Sequence, residues 1–373
     1  MKKILFIASH RFNRAPNQRY RFEQYFDFLN QNGFECVLSN IISEEDDVVL
    51  YQKGSYFSKL KIALKSYRIR RADVKRAQDF DLIVICREAI LTRSIRFEKR
   101  LAKSGVPTVF DFDDAIWVKD VSAGNKWLSF LKNASKINDI LPLCDHVTAG
   151  NQYLADYAKK YNPNVTIIPS TIDTDRYVPL ERINKKVTIG WVGSHTTVKH
   201  FELVESVYEN LLKKYGDKIQ FKVIGDTSYS NPKLNIIGEP WSNEHEVEFF
   251  NSIDIGVMPL DEDEWTRGKC GMKGLLYMSV AKPSVMSAVG MNTDIVSHGV
   301  NGFTPVGHNQ WFEALCNLIE SPELRETIGL EARKTIVERY SKKANQDKYL
   351  RLYNKICKVE VKPPVVKLVN EMI

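Results

Sequence analysis

The residues best suited to chemistry crowd into Trp265-Thr266-Arg267-Gly268-Lys269-Cys270-Gly271-Met272-Lys273-Gly274, which leads into the apolar run Leu275-Leu276-Tyr277-Met278. Two glycines and three cations stand just before a helix signal, at the carboxyl end of a strand. There, helix-start amides point at an anion, lysines add charge and glycine lets the backbone close in, so the pattern suits a phosphate group. Cations on a loop more often serve solvation alone; the glycine spacing and the position favour binding by Lys269, Gly271, Met272 and Lys273. A second turn, Ile189-Gly190-Trp191-Val192-Gly193-Ser194, runs through His195 to Lys199 and into another helix. Gly193, Ser194 and Lys199 suit a diphosphate, although many helices follow a short glycine turn that binds nothing. Residues 283–292 make a further strand-to-glycine turn beside the first loop, bringing in Asn292 and Thr293.

The acidic counterpart is Val109-Phe110-Asp111-Phe112-Asp113-Asp114, at the end of a strand. In one class of transferase an Asp-x-Asp pair holds a metal ion against a diphosphate. An apolar strand closed by Asp-x-Asp also opens a class of phosphatases whose first Asp is the nucleophile. That motif normally starts its domain, whereas three strands precede it here. Capping of a chain turn is the plain alternative. Three acids in four residues repel one another when buried, so at least one should face water or a cation. Residues 9–21 carry Arg11, Arg14, Arg19 and Arg21, which either hold an anionic acceptor or a diphosphate at a cleft edge or solvate a helix start. Arg87, beside Glu88 after an apolar strand, points to the same rim or forms an ion pair without a chemical part. Trp241 offers a base-stacking face or a core side chain. The histidines form no catalytic dyad, and no Gly-x-Ser-x-Gly or Walker motif occurs.

These loops need strands and helices to hold them. Short apolar runs at residues 3–9, 34–40, 81–86, 108–112, 146–149 and 165–168 read as strands, separated by helix signals at 19–31, 89–104 and 126–141. Strands at 187–192, 220–224, 234–237, 255–258 and 284–287 follow, with helices at 199–215, 272–281 and three more between about 310 and 357. This alternation predicts two Rossmann-like α/β units with parallel sheets facing a cleft. The expected division is 1–170, a linker at 171–186, a second unit at 187–345, and a C-terminal helix and tail at 346–373.

At 373 residues with 43% apolar and 27% charged side chains, the chain is too long for one core and too apolar for disorder, a collagen repeat or a coiled-coil rod. Apolar runs such as 82–86 and 253–260 are far shorter than the roughly 20 residues of a membrane span. The start, Met1-Lys2-Lys3 and then Ile4–Ala8, falls below the length of a signal-peptide core, so a cytoplasmic protein is expected. Six cysteines without a CxxC pair agree with a reducing compartment and argue against structural zinc. Of the net charge of +7, residues 1–180 hold all of it (28 cations, 21 acids), while 181–373 hold 25 of each. Nine cations against one acid lie in residues 53–76, with Phe57, Leu60, Leu64 and Tyr67 at helical spacing. A basic amphipathic helix suits an anionic membrane surface; the alternative packs the stripe on its own sheet. The stretch lacks the stacking aromatics of a nucleic-acid module.

One run of residues carries a family resemblance. Tyr277-Met278-Ser279-Val280-Ala281-Lys282-Pro283-Ser284-Val285, then Val289-Gly290-Met291-Asn292-Thr293-Asp294-Ile295-Val296 and Gly299-Val300-Asn301-Gly302-Phe303, resemble the C-terminal domain of group 1 (family 4) retaining glycosyltransferases of GT-B fold. Ile168-Pro169-Ser170-Thr171-Ile172-Asp173 and Val223-Ile224-Gly225 extend the likeness over nearly the whole chain, and Arg19 to Tyr25 resembles a variant branch. The resemblance implies a nucleotide-sugar donor on the C-terminal domain, a lipid-linked or polysaccharide acceptor on the N-terminal one, and no metal cofactor. It implies catalytic roles for Asp113, at the family's cleft-histidine position, and for Lys273. Donor contacts would come from Gly193, Ser194, Lys199, Lys269, Gly271, Met272, Asn292, Thr293 and Trp241, and acceptor contacts from Arg19, Arg21 and Arg87. The family's two glutamates are replaced by Gly268 and Leu276, and its phosphate-binding arginine by Ser194. Those departures keep open an epimerase or hydrolase of the same fold, or a glycan- or lipid-binding module. A transferase working on surface glycans, peripheral on the inner face of the plasma membrane, is the expectation.

Overall fold

The computed structural model describes residues 1–50, 54–118, 134–181 and 185–359. Six strands, β1 (Lys2–His10), β2 (Phe34–Ile42), β3 (Leu82–Cys86), β4 (Thr108–Phe112), β5 (His146–Ala149) and β6 (Val165–Ile167), pair in parallel in the order β2-β1-β3-β4-β5-β6. Both β3 and β4 are buried at every position, as parallel strands covered on two faces must be. Around them lie α1 (Pro16–Arg19), α2 (Phe26–Gln31), α3 (Glu44–Leu50), α4 (Tyr56–Lys75), α5 (Arg96–Ala102), α6 (Lys136–Ile140) and α7 (Gln152–Lys159).

The second sheet is built from β7 (Val187–Val192), β8 (Ile219–Ile224), β11 (Ile255–Met258) and β12 (Ser284–Met286), ordered β12-β11-β7-β8. A small hairpin, β9 (Ser230–Asn231) with β10 (Ile236–Ile237), stands apart from it. Its helices are α8 (Val198–Phe201), α9 (Glu205–Tyr215), α10 (Glu246–Ser252), α11 (Glu264–Arg267), α12 (Met272–Ser279), α13 (Asn292–Ile295), α14 (Gly307–Glu320), α15 (Pro322–Thr335) and α16 (Lys342–Ile356). The last of these returns to the first unit. Tyr349 lies 4.7 Å from the Tyr25 ring, and Tyr353 packs at 6.4 Å from Phe6 and 6.3 Å from Phe34.

Each sheet has a switch point. β1 is flanked by β2 and β3, and β7 by β8 and β11. Chains leaving such neighbours in opposite directions open a crevice at the carboxyl ends of the strands. The loops after β1, β3 and β4 border one crevice, those after β7 and β11 the other. Among the described residues no helix is long and apolar enough to cross a membrane.

Some expected elements come out differently. The helix expected over 19–31 breaks after Arg19, because Tyr20 and Arg21 turn inward to buried partners. The helix expected at 89–104 keeps only α5. Ahead of it the chain is a loop whose Ile90 and Thr92 carbonyls accept from Lys136 Nζ. Residues 199–215 divide into α8 and α9, and the strand at 234–237 shrinks to β10. Part of the helix expected at 126–141 lies outside the described residues, as do Lys53 and the tail beyond 359. On α4, Tyr67 packs inward, 4.9 Å from Phe97. Arg70 is wholly buried and donates to Asp73 and to the Ala8, Ser39 and Ala89 carbonyls, so it is no part of a basic surface.

Candidate active site

The C-terminal wall is built where α12 starts. Gly271 stands at φ +66°, and a Cβ there would lie 2.3 Å from Ile295 Cδ1, so the turn requires glycine. Behind it Met272, Lys273 and Gly274 present amides with no carbonyl four residues back to accept them, and from Gly274 onward α12 is buried. The half-buried Lys273 ammonium sits 5.2 Å over the Trp191 ring. No carboxylate of the described residues lies within ion-pair distance of it. Burial, with Lys269 adding repulsion, pushes its pKa down to about 8.

His200, at the buried end of α8, reports the same crowding. Burial first, then Lys199, Lys273 and Lys269, push it down to about 4, so it is neutral at pH 7 and three lysines converge on its surroundings. Its Nδ1 and the Trp191 Nε1 are buried without a hydrogen-bond partner among the described residues. Gly193 packs against Trp191; a Cβ there would meet that ring at 2.3 Å. The Ser194 amide donates to Thr197 Oγ1 at 3.0 Å, and its side chain is exposed. Asn292 donates to the Ser287 carbonyl, while its buried Oδ1 stays unpaired, 3.4 Å from the Cβ position of Gly271. Thr293, also exposed, donates to the Gly290 carbonyl.

The N-terminal wall faces this cluster with acids. Arg87, directly after β3, adopts φ +61°, a strained conformation for a long side chain. It donates to Asp113 Oδ1 through Nε (2.9 Å) and Nη2 (2.5 Å), and to Asp114 Oδ2 (2.5 Å). Lys269 Nζ reaches across from the other wall to Asp114 Oδ1 at 3.1 Å. Burial raises the Asp113 carboxyl above its ordinary value despite Arg87, with Asp114 adding repulsion. Burial opposes the charge on Asp114 too, but Lys269 and Arg87 together hold its carboxyl below the usual range.

The two walls meet at a seam close enough to need glycine on both sides. A Cβ on Gly268 would lie 2.6 Å from Ala115 Cβ, and one on Gly150 would lie 2.5 Å from Cys270 Sγ. Asn151 caps α7 and donates Nδ2 to the Gly268 and Lys269 carbonyls at 3.1 and 3.2 Å. Cys270 donates to the Asp113 carbonyl, and burial pushes its thiol well up, which makes it inert.

Several residues expected at the site are placed elsewhere. Arg21 has no exposed surface; it donates to both Asp111 oxygens (3.2 and 2.6 Å) and to the Ile168 carbonyl. This corrects its acceptor role, and it commits Asp111 to a structural pair that Thr148 also joins. Arg19 is buried as well, 2.7 Å from Glu246 Oε2. Glu246 further accepts from Tyr20, Tyr177 and Trp241, the last at 3.0 Å. Arg19 therefore belongs to an interdomain lock instead of an acceptor contact, and Trp241 joins that lock through Nε1 and through the Arg19 guanidinium 5.5 Å from its ring. The structure gathers Asp113, Arg87, Lys269, Lys273 and Gly271 around one cleft. It adds Asp114, Asn151 and His200, which sequence reasoning passed over. Asp114 was visible in the acidic run; Glu246 and Asn151 carried no motif.

Residues 186–321 match a protein-family model described as Glycosyl transferases group 1. No curated protein sequence matches the chain. Among solved structures, sucrose-phosphate synthase from Thermosynechococcus elongatus superposes with a TM-score of 0.73 at 13% identity, covering 96% of this chain and 100% of that one. A glycosyltransferase from Rickettsia africae gives 0.67 at 13% identity, covering 96% and 99%. HepE from Anabaena, in complex with UDP and glucose, gives 0.64 at 13% identity, covering 95% and 100%. These likenesses establish the fold as GT-B.

Proposed function

We propose that the chain is a group 1 glycosyltransferase, the family whose model matches residues 186–321, and that it moves a sugar, with retention, from a nucleotide-sugar donor to a lipid-linked or polysaccharide acceptor in surface-glycan synthesis. The observation that carries the donor reading is Lys273 beside Lys269 at the start of α12, with no carboxylate of the described residues within ion-pair distance of Lys273. Two ammonium groups beside free helix-start amides suit a diphosphate better than any neutral ligand. HepE, which shares the fold, has been solved with UDP-glucose.

In this reading the diphosphate lies against Lys273 and the Gly271–Lys273 backbone, with Lys199 and the Gly193 turn on the donor's far side and Asn292 Oδ1 accepting from a donor hydroxyl. The bond from the sugar's anomeric carbon to the diphosphate oxygen breaks, and the acceptor oxygen bonds to that carbon from the same face. The leaving diphosphate takes the acceptor's proton, and the lysines stabilise the charge it gains. Asp113 orients a sugar or acceptor hydroxyl from the opposite wall. The lysines supply the counter-charge a divalent cation would otherwise give, so nucleotide binding should persist in EDTA. Thermal shift against UDP, GDP, CDP and ADP, with magnesium and with EDTA, tests this. Ligand at 100-fold its dissociation constant adds about 2.7 kcal/mol, and a shift that needs magnesium would sink the metal-free reading.

The acceptor side carries a surface of its own. On α4, Tyr56, Phe57, Leu60 and Leu64 are more than half exposed, among Lys59, Lys61, Lys65, Arg68 and Arg71. Exposed apolar side chains amid lysines support docking on anionic lipid, where each cation near the surface adds about 1 kcal/mol. This reading puts the enzyme on the inner face of the plasma membrane. Full-length protein should sediment with phosphatidylglycerol vesicles and not with phosphatidylcholine, and Phe57→Asp with Leu60→Asp should abolish sedimentation.

A further inference from the structure

Asp114 holds both walls of the cleft at once. Its Oδ1 takes Lys269 from the C-terminal wall and its Oδ2 takes Arg87 from its own side. We propose that Asp114 is an internal anion standing in the donor's place on Lys269, so that the donor diphosphate must break the Lys269–Asp114 pair to gain Lys269 beside Lys273. The inference rests on the donor reading above and adds an order to it: the donor enters first, and its entry remodels the acceptor wall.

Four features support the exchange. A carboxylate oxygen and a phosphate oxygen ask the same of an ammonium, a flexible point charge that trades between them by turning its side chain. The Lys269 backbone does not have to move, since Asn151 grips the Gly268 and Lys269 carbonyls and Gly268 is wedged against Ala115. The alternative seat is close, because Lys269 and Lys273 already act on each other and on His200 electrostatically. The ion pair also lies at the seam and keeps part of its surface in water, 23% for Lys269 and 17% for Asp114, so its partners exchange at modest cost compared with a fully buried pair.

Departure of Lys269 has a definite consequence on the other wall. Arg87 is left as the near cation for both Asp113 and Asp114, with the Arg21–Asp111 pair buried behind them. Two adjacent carboxylates sharing one guanidinium have oxygens to spare for a hydroxyl donor. The acceptor's hydroxyl then finds hydrogen-bond acceptors that Lys269 had occupied. Asp114 acts as a positioning residue, through Lys269.

The test compares nucleotide affinity in wild type, Asp114→Asn and Asp114→Ser, each checked for folding by circular dichroism. The probes are whichever of UDP, GDP, CDP and ADP binds wild type most tightly, and inorganic pyrophosphate. Removing an internal competitor should make binding roughly three- to tenfold tighter, whereas a merely structural aspartate would leave it unchanged or weaken it. A cycle with Lys269→Ala supplies a second reading. The loss of affinity from that change should be larger in the Asp114→Asn background than in wild type, where part of the Lys269 contribution is spent on leaving Asp114. Unchanged or weaker binding in a folded Asp114 variant, or an additive cycle, overturns the internal-anion inference and leaves the donor site standing. Failure of every probe to bind wild type and variants overturns the donor reading itself, and this inference with it.

Discussion

Lys273→Met separates the function of the cleft from the stability of the fold, and the two should move in opposite directions. The Lys273 ammonium is held against burial and the Lys269 charge, which displaces its pKa from 10.5 to about 8. A tenfold change in acidity is about 1.4 kcal/mol, so keeping this lysine charged at neutral pH costs the fold at most about 3 kcal/mol. Water reaching the half-buried Nζ lowers that to roughly 1–2 kcal/mol. Methionine has similar length, packs on the Trp191 ring and removes the penalty. At about 2–4 °C per kcal/mol for a protein this size, the melting temperature at pH 7 should rise by several degrees. The sign of the pH dependence follows. The folded pKa lies below the unfolded one, so the unfolded chain binds more protons between about pH 8 and 10.5, and wild-type stability climbs across that window. Lys273→Met should lack this climb. Function goes the other way. An ammonium and a phosphate about 4 Å apart gain about 4 kcal/mol at an effective dielectric of 20. With Lys199 and Lys269 retained, about half of that is lost, a roughly 30-fold weaker nucleoside diphosphate. Wild-type affinity should itself fall above about pH 8 as the ammonium deprotonates. Calorimetric melting and nucleotide titration on the same samples decide the matter. A variant that melts no higher than wild type refutes the unpaired-charge argument, and one that binds nucleotide equally well refutes the diphosphate assignment.

Asp111→Asn leaves the Arg21 guanidinium charged and buried without its partner, and should cost about 3–5 kcal/mol of stability, read by denaturant unfolding. The double change Arg21→Met with Asp111→Leu should recover much of it, because two apolar side chains leave no orphaned charge. Gly271→Ala sets a Cβ 2.3 Å from Ile295 in a left-handed backbone, which should cost about 2–3 kcal/mol and weaken nucleotide binding. Adding Ile295→Ala should restore binding more than stability, since it clears the clash but opens a cavity.

Much of the fold was legible in the chain. The expected bounds of β4, β5, β7 and β11 coincide with the observed strands, because each is a short apolar run closed by turn-forming residues. The expectation of two Rossmann-like units with parallel sheets held for the same reason, since the order of such runs leaves few ways to wind them, while the GT-B expectation came from the family resemblance. Helices at 19–31 and 89–104 were less legible. Their breaks answer to Arg21 meeting Asp111, 90 residues away, and to Lys136 gripping a loop 44–46 residues earlier, and no local pattern encodes such distant pairs.

The candidate site divides along the same line. Residue types alone marked the glycine-lysine loop before α12, because glycine takes a left-handed turn such as φ +66° without strain and clustered lysines in that position favour phosphate. Which cations face the cleft was left to the tertiary structure. Arg19 and Arg21 are chemically equal to Arg87 in sequence, yet burial and carboxylates from remote elements turn the first two into fastenings. Charge belongs to the residue, but availability depends on what the fold brings within 4 Å of it.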